Sequence, residues 1–560
     1  MVLSGIGASK GLAVGPAVLL LDLPPIDRKT ITRVDEEVDK ERLKSAFDRA
    51  RLELQELENH LSSELKGIIS AQSLFLEDPE LWTQIESRLS DGKNAEWAVD
   101  ESIEEFAQSL ATLEDPYLRE RAIDIRDLGK RVLAALMNLP APGVDFTHPG
   151  ILIAKDLTPS NTAGLDPSLV LGFATEQGGP TSHSAIMARA AGFPAMVGVT
   201  GLLSSVKEGD IVVIDATTGE IIINPSDEVR SIYENKVEEN HRMLQEQKKQ
   251  KDLPPITHDG RQIELVANIG GLKDVSTALE WGAEGVGLFR TEFLYMQKNS
   301  LPDEEEQYVA YKAVLERFAP APVIFRTLDI GGDKALPYLE MPVEENPFLG
   351  YRAIRLCLDR QDLFKPQLRA ILRASIHGKA RIMFPMVATL HEFRQAKELL
   401  QETANELGIM ELPEVGIMVE IPSAALMVKA FAKEVDFFSI GSNDLIQYTM
   451  AADRGNKAVS YLYQHLEPAV LILVAKVIES AHEAGKWVGM CGEMAGDPKA
   501  IPFLLGLGLD EFSMSASAIP RARELIRSLC FAECKELATR ALACYDVAEV
   551  RHLVHWESRL

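Results

Sequence analysis

The spacing of apolar residues changes several times along the chain, and each change marks a boundary. Leu43, Phe47, Ala50, Leu54, Leu57 and Leu61 recur every three or four residues with charges between them. That period puts one apolar seam on a helix. Similar patterning runs to about Met137, with a break at Asp115-Pro116, so 25–140 reads as a helical bundle. Before it, residues 1–20 are Gly-rich, then apolar up to Val18-Leu19-Leu20, and read as a turn and a strand. After the loop at Leu139–Gly143 come the β-branched runs Gly150–Ala154, Leu169–Phe173 and Ile211–Ile214, with a helical stretch at His183–Ala191. These make an α/β unit. A strand in 1–20 needs sheet partners and this unit is the nearest, so the pattern predicts one discontinuous α/β domain, 1–24 with 141–224, interrupted by the bundle. Asn224-Pro225-Ser226-Asp227 reads as a helix start with a capping Asn, and the polar run that follows predicts a solvated linker helix over 225–255.

From about 260 the rhythm changes again. Strand-like runs occur at Val266–Asn268, Gly285–Leu288, Val323–Phe325, Arg381–Phe384, Gly416–Val419, Phe437–Ile440, Trp487–Met490 and Glu511–Met514, most of them separated by helical stretches. Eight such units predict a (β/α)8 barrel over 256–560. A doubly wound sheet would show fewer strands.

Composition narrows the class. The chain has 560 residues, 46% apolar and 25% charged, which is globular and not disordered. Its formal charge of −26 argues against binding nucleic acid or anionic membranes, because phosphate surfaces select Lys/Arg-rich partners. The odd set of five cysteines implies no disulfide framework and predicts a cytoplasmic protein. The N-terminus lacks a basic segment followed by an apolar one, and no apolar run approaches a membrane span, so neither a signal peptide nor direct membrane insertion is expected.

Polar residues cluster directly after the barrel strands: Arg290, Arg326, Glu420, Asn443 with Asp444, and Cys491. In a barrel these ends converge on one mouth. Arg290 and Arg326 are forked cations suited to phosphate and carboxylate. Glu420 and Asp444 are hard oxygen ligands that could hold Mg2+ together with a substrate phosphate. Asn443 can donate to a phosphate oxygen, Arg454 could add a third cation, and Cys491 could protonate a carbanion or enolate. Alone, each has a plainer reading: a surface ion pair, a cap, a small buried thiol. Their recurrence at successive strand ends points to a small, multiply charged phospho-acid.

A second candidate is His183, in Gln177-Gly178-Gly179-Pro180-Thr181-Ser182-His183. It sits at a predicted helix N-terminus, where the dipole and free N–H groups favour an added anion and a neutral imidazole. That is the nucleophilic form and suits a phosphoryl acceptor. The plainer reading is a capping or hydrogen-bonded histidine.

The Gly178–His183 motif resembles the phosphohistidine signature of phosphoenolpyruvate-using enzymes. Gly287–Phe293, Arg326–Lys334, Glu345–Gly350, Phe438–Leu445 and Gly489–Glu493 resemble their barrel motifs. The match spans nearly the whole chain and is nearest to the enzyme I family of the bacterial sugar phosphotransferase system. The resemblance implies that His183 takes the phosphoryl group of phosphoenolpyruvate and passes it to a histidine of the carrier HPr. It implies that Arg290, Arg326, Asn443 and Arg454 bind substrate, that Glu420 and Asp444 hold Mg2+, that Cys491 protonates the enolate, and that Thr158 orients the histidine. The bundle would dock HPr and the barrel would carry a homodimer interface. Two departures stand out: Pro180 where many members carry Arg, and His465 where Pro is frequent. The related dikinases and synthases need a nucleotide-binding domain, and no Gly-rich phosphate loop is read before the α/β segment. Because His183 and the barrel belong to different domains, the resemblance also implies a swing about 143–149 and 225–255.

Overall fold

The Gly-rich start of the chain forms three strands rather than one. The computed structural model describes residues 1–9, 11–20, 23–60, 73, 75–112, 116–139, 146, 148–157, 169–179, 193–296, 298, 300–332, 334, 336, 338–454, 456 and 458–553. The three are β1 (Val2–Ser4), β2 (Ile6–Ser9) and β3 (Leu12–Leu20). They share a sheet with β4 (Gly150–Ala154), β5 (Val170–Thr175), β6 (Ala195–Val197), β7 (Ile211–Asp215) and β8 (Glu220–Ile223), in the order β1-β8-β7-β3-β4-β5-β6-β2. β3 to β6 run parallel; β7, β8 and β1 extend one side antiparallel, and β2 the other. Only Gly5 separates β1 from β2, yet they lie at opposite ends of the order, so the sheet curls until its two ends almost meet. β6 and β8, of three and four residues, were not among the expected strands.

Between β3 and β4 the described residues form four helices, α1 (Arg33–His60), α2 (Pro79–Ser90), α3 (Ala95–Ala111) and α4 (Pro116–Leu136). Leu43, Phe47, Ala50 and Leu54 of the predicted seam are buried in the bundle core; the side chains of Leu57 and Leu61 fall outside the described ones. Burying each such leucine contributes about 1.5–3 kcal/mol. α2 starts on Asp78, whose carboxylate accepts from Glu80 N–H at 2.8 Å, and on Pro79 in the first turn.

The polar helix α5 (Asp227–Lys249) follows, but Asn224 does not cap it. Asn224 takes a left-handed conformation, φ 46°, and its Oδ1 accepts from Ile211 N–H at 3.1 Å. The cap falls to Ser226, whose Oγ accepts from Val229 N–H at 3.4 Å. Asparagine tolerates that backbone, and here its amide ties down the start of β7.

The predicted barrel strands form β9 (Glu264–Ile269), β10 (Val286–Arg290), β11 (Pro322–Arg326), β12 (Lys379–Phe384), β13 (Glu414–Val419), β14 (Phe437–Ile440), β15 (Trp487–Met490) and β16 (Glu511–Met514). All pair parallel, and β16 closes onto β9. Buried on both faces, they must be apolar nearly throughout, and they are. Intervening helices are capped by sequence: Thr389 and Glu392 form a capping box before Leu390–Leu407, which ends on Gly408 at φ 71°. At the N-terminal end of the barrel, Trp487 stacks on Phe437 with centroids 4.7 Å apart, and Arg381 lies 4.5 Å from the Trp487 ring. Glu511 is buried beside them, 4.0 Å from Arg381. The chain thus has the expected class: an α/β domain with an inserted helical bundle, a linking helix and a (β/α)8 barrel. No described helix is long and apolar enough to cross a membrane.

Candidate active site

The C-terminal strand ends carry a buried lattice of charge. Arg326, the last residue of β11, pairs with Glu292 Oε1 and, at 2.9 Å, with Asp329 Oδ2. Lys334 Nζ bridges the same two carboxylates at 2.8 and 2.9 Å. Arg352 Nη2 lies 2.8 Å from Asp329 Oδ1 and 3.6 Å from Asp444 Oδ2. Arg454 Nη1 stands 3.7 Å from Asp444 Oδ1. Arg290 ends β10 in register with Arg326 on the neighbouring strand. The geometry of Arg352 depends on Gly331, φ 107°, where a Cβ would come within 2.5 Å of the arginine's own Cβ.

Burial sets the electrostatics. Desolvation works against Asp329 and Glu292 as anions, but Arg326 and Lys334 outweigh it and hold both carboxyls below the usual range. Glu420 is pushed the other way, by burial first and then by Asp444 and Asp329. Its Oε1 accepts from Met386 N–H at 2.6 Å, and Met386 is held at φ 55°. Gly441 leaves the room: a Cβ there would sit 2.9 Å from Glu420 Oε2. Asp444 Oδ1 is buried with no hydrogen-bond donor. Two adjacent buried carboxylates, one raised by the other and one with an unsatisfied oxygen, fit a divalent cation that completes its shell with water and substrate oxygens. Among the described residues no group of three or more His, Cys, Asp or Glu side chains forms a full protein cage.

Cys491 follows β15 and packs with Leu288, Ile324, Met383 and Met418 inside the barrel. Met418 Sδ lies 3.9 Å from Arg326 Nη1. Burial pushes the thiol up to about 11, only partly countered by Arg326 and Arg290, so it keeps its proton at neutral pH. Asn443 Oδ1 accepts from Glu493 N–H at 3.0 Å.

Of the barrel residues expected from the sequence, Arg290, Arg326, Glu420, Asn443, Asp444 and Cys491 lie at or just beyond the strand ends, and Arg454 lies past the helix Ser442–Met450 that follows β14. His183 and Thr158 lie outside the described residues, as does Pro180. The segment leading to His183 is described as far as Gly179: it leaves β5 with Gln177 N–H on Lys155 O at 2.8 Å, and Gly178 takes φ 99°. The sequence reading gave no role to Glu292, Asp329, Lys334 or Arg352. The first three stood inside quoted motifs. Arg352 lies just past Gly350, on a connection rather than at a strand end. His465, the second departure, pairs through Nδ1 with Asp497 at 2.9 Å.

Three family models match: PEP-utilising enzyme, N-terminal, at 4–121; the mobile domain at 146–219; and the PEP-binding domain at 244–531. The phosphoenolpyruvate-protein phosphotransferase of Staphylococcus carnosus is 51% identical over 99% of this chain and 98% of its own. That of Geobacillus stearothermophilus is 50% identical over 98% and 96%. The NMR structure of an Enzyme I (nEIt) protein aligns at 34% identity and a TM-score of 0.37, over 43% of this chain and 99% of its own. Full-length similarity at this level, with the charged lattice at the mouth of the barrel, makes the chain a member of the phosphoenolpyruvate-protein phosphotransferase family.

Proposed function

We propose that the chain moves the phosphoryl group of phosphoenolpyruvate to its own His183 and then to a histidine of HPr, the first step of the sugar phosphotransferase system, releasing pyruvate. The observation that carries this reading is the convergence of Arg326, Arg352, Lys334 and Arg454 with the Glu420–Asp444 pair at one barrel mouth. Such a field is suited to a small anion bearing both phosphate and carboxylate.

Arg290, Arg326 and Arg454 hold the substrate anions, and Asn443, oriented by the Glu493 amide, donates to the phosphate. Glu420 and Asp444 would hold Mg2+, which when bound neutralises phosphate charge. His183 Nε2 attacks phosphorus in line while the bond to the enol oxygen breaks, and Thr158 orients the ring. The enolate left behind takes a proton at its methylene carbon from the Cys491 thiol and becomes pyruvate; solvent reprotonates the thiolate. Pro180 removes a cation that many relatives place beside the phosphohistidine.

The roles follow the chain: 1–24 with 141–224 as the phosphohistidine domain, 25–140 as the HPr dock, 225–255 as the linker and 256–560 as the phosphoenolpyruvate-binding and dimerisation domain. Exposed apolar Leu426, Met427 and Ile472 support a homodimer through the barrel. The composition supports a cytoplasmic setting. The histidine has to serve two partners, so its domain swings about 143–149 and 225–255; cross-linking it to the barrel should slow a half-reaction.

Labelling with radioactive phosphoenolpyruvate tests the whole reading. The wild-type chain takes up acid-labile phosphate and hands it to HPr, and His183→Ala takes up none. Undiminished acid-labile label on His183→Ala would overturn it.

A further inference from the structure

Phe348 shares one aromatic ring between two of the cations at the mouth. Its centroid lies 5.8 Å from Arg352 Cζ and 6.0 Å from Arg454 Cζ, within reach of cation–π attraction. It belongs to a three-residue turn, Pro347–Leu349, on the long connection after β11, so no barrel strand fixes it directly.

Tyr448 supplies that fixture. It lies on the helix Ser442–Met450 after β14, the same helix that carries Asn443 and Asp444. Its hydroxyl donates to Phe348 O at 2.5 Å and accepts from Arg352 Nη1 at 3.3 Å. One phenol therefore ties the turn and the arginine together. Burial pushes that phenol up to about 12, so it remains a donor throughout the working pH range. Gly332 closes the arrangement from the β11 side: a Cβ there would lie 3.3 Å from Phe348 Cδ1 and 3.5 Å from Arg352 Nη1. Two connections from different strands thus meet on one ring and one hydroxyl.

Resting on the reading of the mouth as the phosphoenolpyruvate site, we infer that Tyr448 and Phe348 are positioning residues that set the spacing of the Arg352 and Arg454 guanidiniums. That spacing decides how well the mouth accepts a substrate with phosphate and carboxylate on neighbouring atoms.

The test uses the full chain with Tyr448→Phe, Phe348→Leu and Phe348→Tyr. Tyr448→Phe keeps the ring and removes the hydroxyl's contacts with Phe348 O, Arg352 Nη1 and, at 3.8 Å, Met386 Sδ; Phe348→Tyr keeps a cation-binding ring, whereas Phe348→Leu does not. Steady-state transfer from phosphoenolpyruvate to HPr gives KM and kcat, and calorimetric titration of phosphoenolpyruvate gives Kd. The expected result is a rise of about tenfold in KM and Kd for Tyr448→Phe and Phe348→Leu, the scale of one lost polar contact. kcat should stay within about twofold, Tm should move by less than about 2 °C, and Phe348→Tyr should behave as wild type. Unchanged KM and Kd in both variants overturn the inference. So does a weakening that comes only with a Tm loss above about 5 °C and is not relieved in Phe348→Tyr. A wild-type chain that binds phosphoenolpyruvate but takes no phosphate overturns the transfer proposed above instead, and the Kd comparison still decides the positioning role.

Discussion

Met386 donates its backbone N–H to Glu420 Oε1 at 2.6 Å from a left-handed conformation, φ 55°. For a side chain with a Cβ that conformation costs about 1–2 kcal/mol. The strain aims the amide at a carboxylate that burial and Asp444 both disfavour as an anion. Glu420→Gln keeps the acceptor and removes the charge. The apo variant should therefore match or exceed wild type in Tm, and should lose the response to Mg2+. At a hundredfold excess over Kd the metal should stabilise wild type by about 2.7 kcal/mol. Thermal melts with and without Mg2+ read both effects, and an undiminished shift in Glu420→Gln would remove this residue from the metal site.

Asp329 touches three cations, Arg326, Lys334 and Arg352, while itself buried. Asp329→Ala leaves those charges uncompensated, so it should cost about 3–5 kcal/mol in urea unfolding, as expected when one member of a buried ion cluster is removed. A cost under about 1 kcal/mol would mean that the neighbouring Glu292 or water takes over.

Cys491 carries its proton to about pH 11. Cys491→Ala should slow turnover from phosphoenolpyruvate by about 10²–10⁴, the usual worth of a positioned acid, and leave binding intact. In wild type, the step that depends on this thiol should not decline between about pH 6 and 9, because deprotonation begins above that window. A rate that follows an ordinary thiol titration would exclude Cys491 as the donor.

The barrel was legible because a buried parallel strand must be apolar along its length and polar where it emerges. Phe437–Ile440 followed by Asn443-Asp444 shows both signals at once. Arg352 escaped for the converse reason: it sits on a connection, and only folding brings it within 2.8 Å of Asp329. Asn224 looked like a helix cap because Asn-Pro-Ser-Asp offers three capping residues, and local sequence does not say which of them a neighbouring strand will claim.

Glu511 is pushed up to about 8, by burial above all, with Arg381 only partly offsetting. A carboxyl raised in the fold favours the folded state while neutral. Its contribution is full below the unfolded value near 4.5 and falls away as pH rises through about 8. Glu511→Gln should therefore gain Tm relative to wild type as pH goes from 5 to 8, with the difference levelling off above that. A difference independent of pH would show that the group is already ionised in the fold.

Both margins of the first sheet are hemmed by the same nine residues, since β1 borders β8 and β2 borders β6. The Met1 backbone nitrogen donates to Ile223 O at 2.9 Å. Losing these strands would strip two hydrogen-bonding rims at once and open paired docking rails for other chains. Residues 2–9 thus cover both edges of the sheet against pairing with other chains.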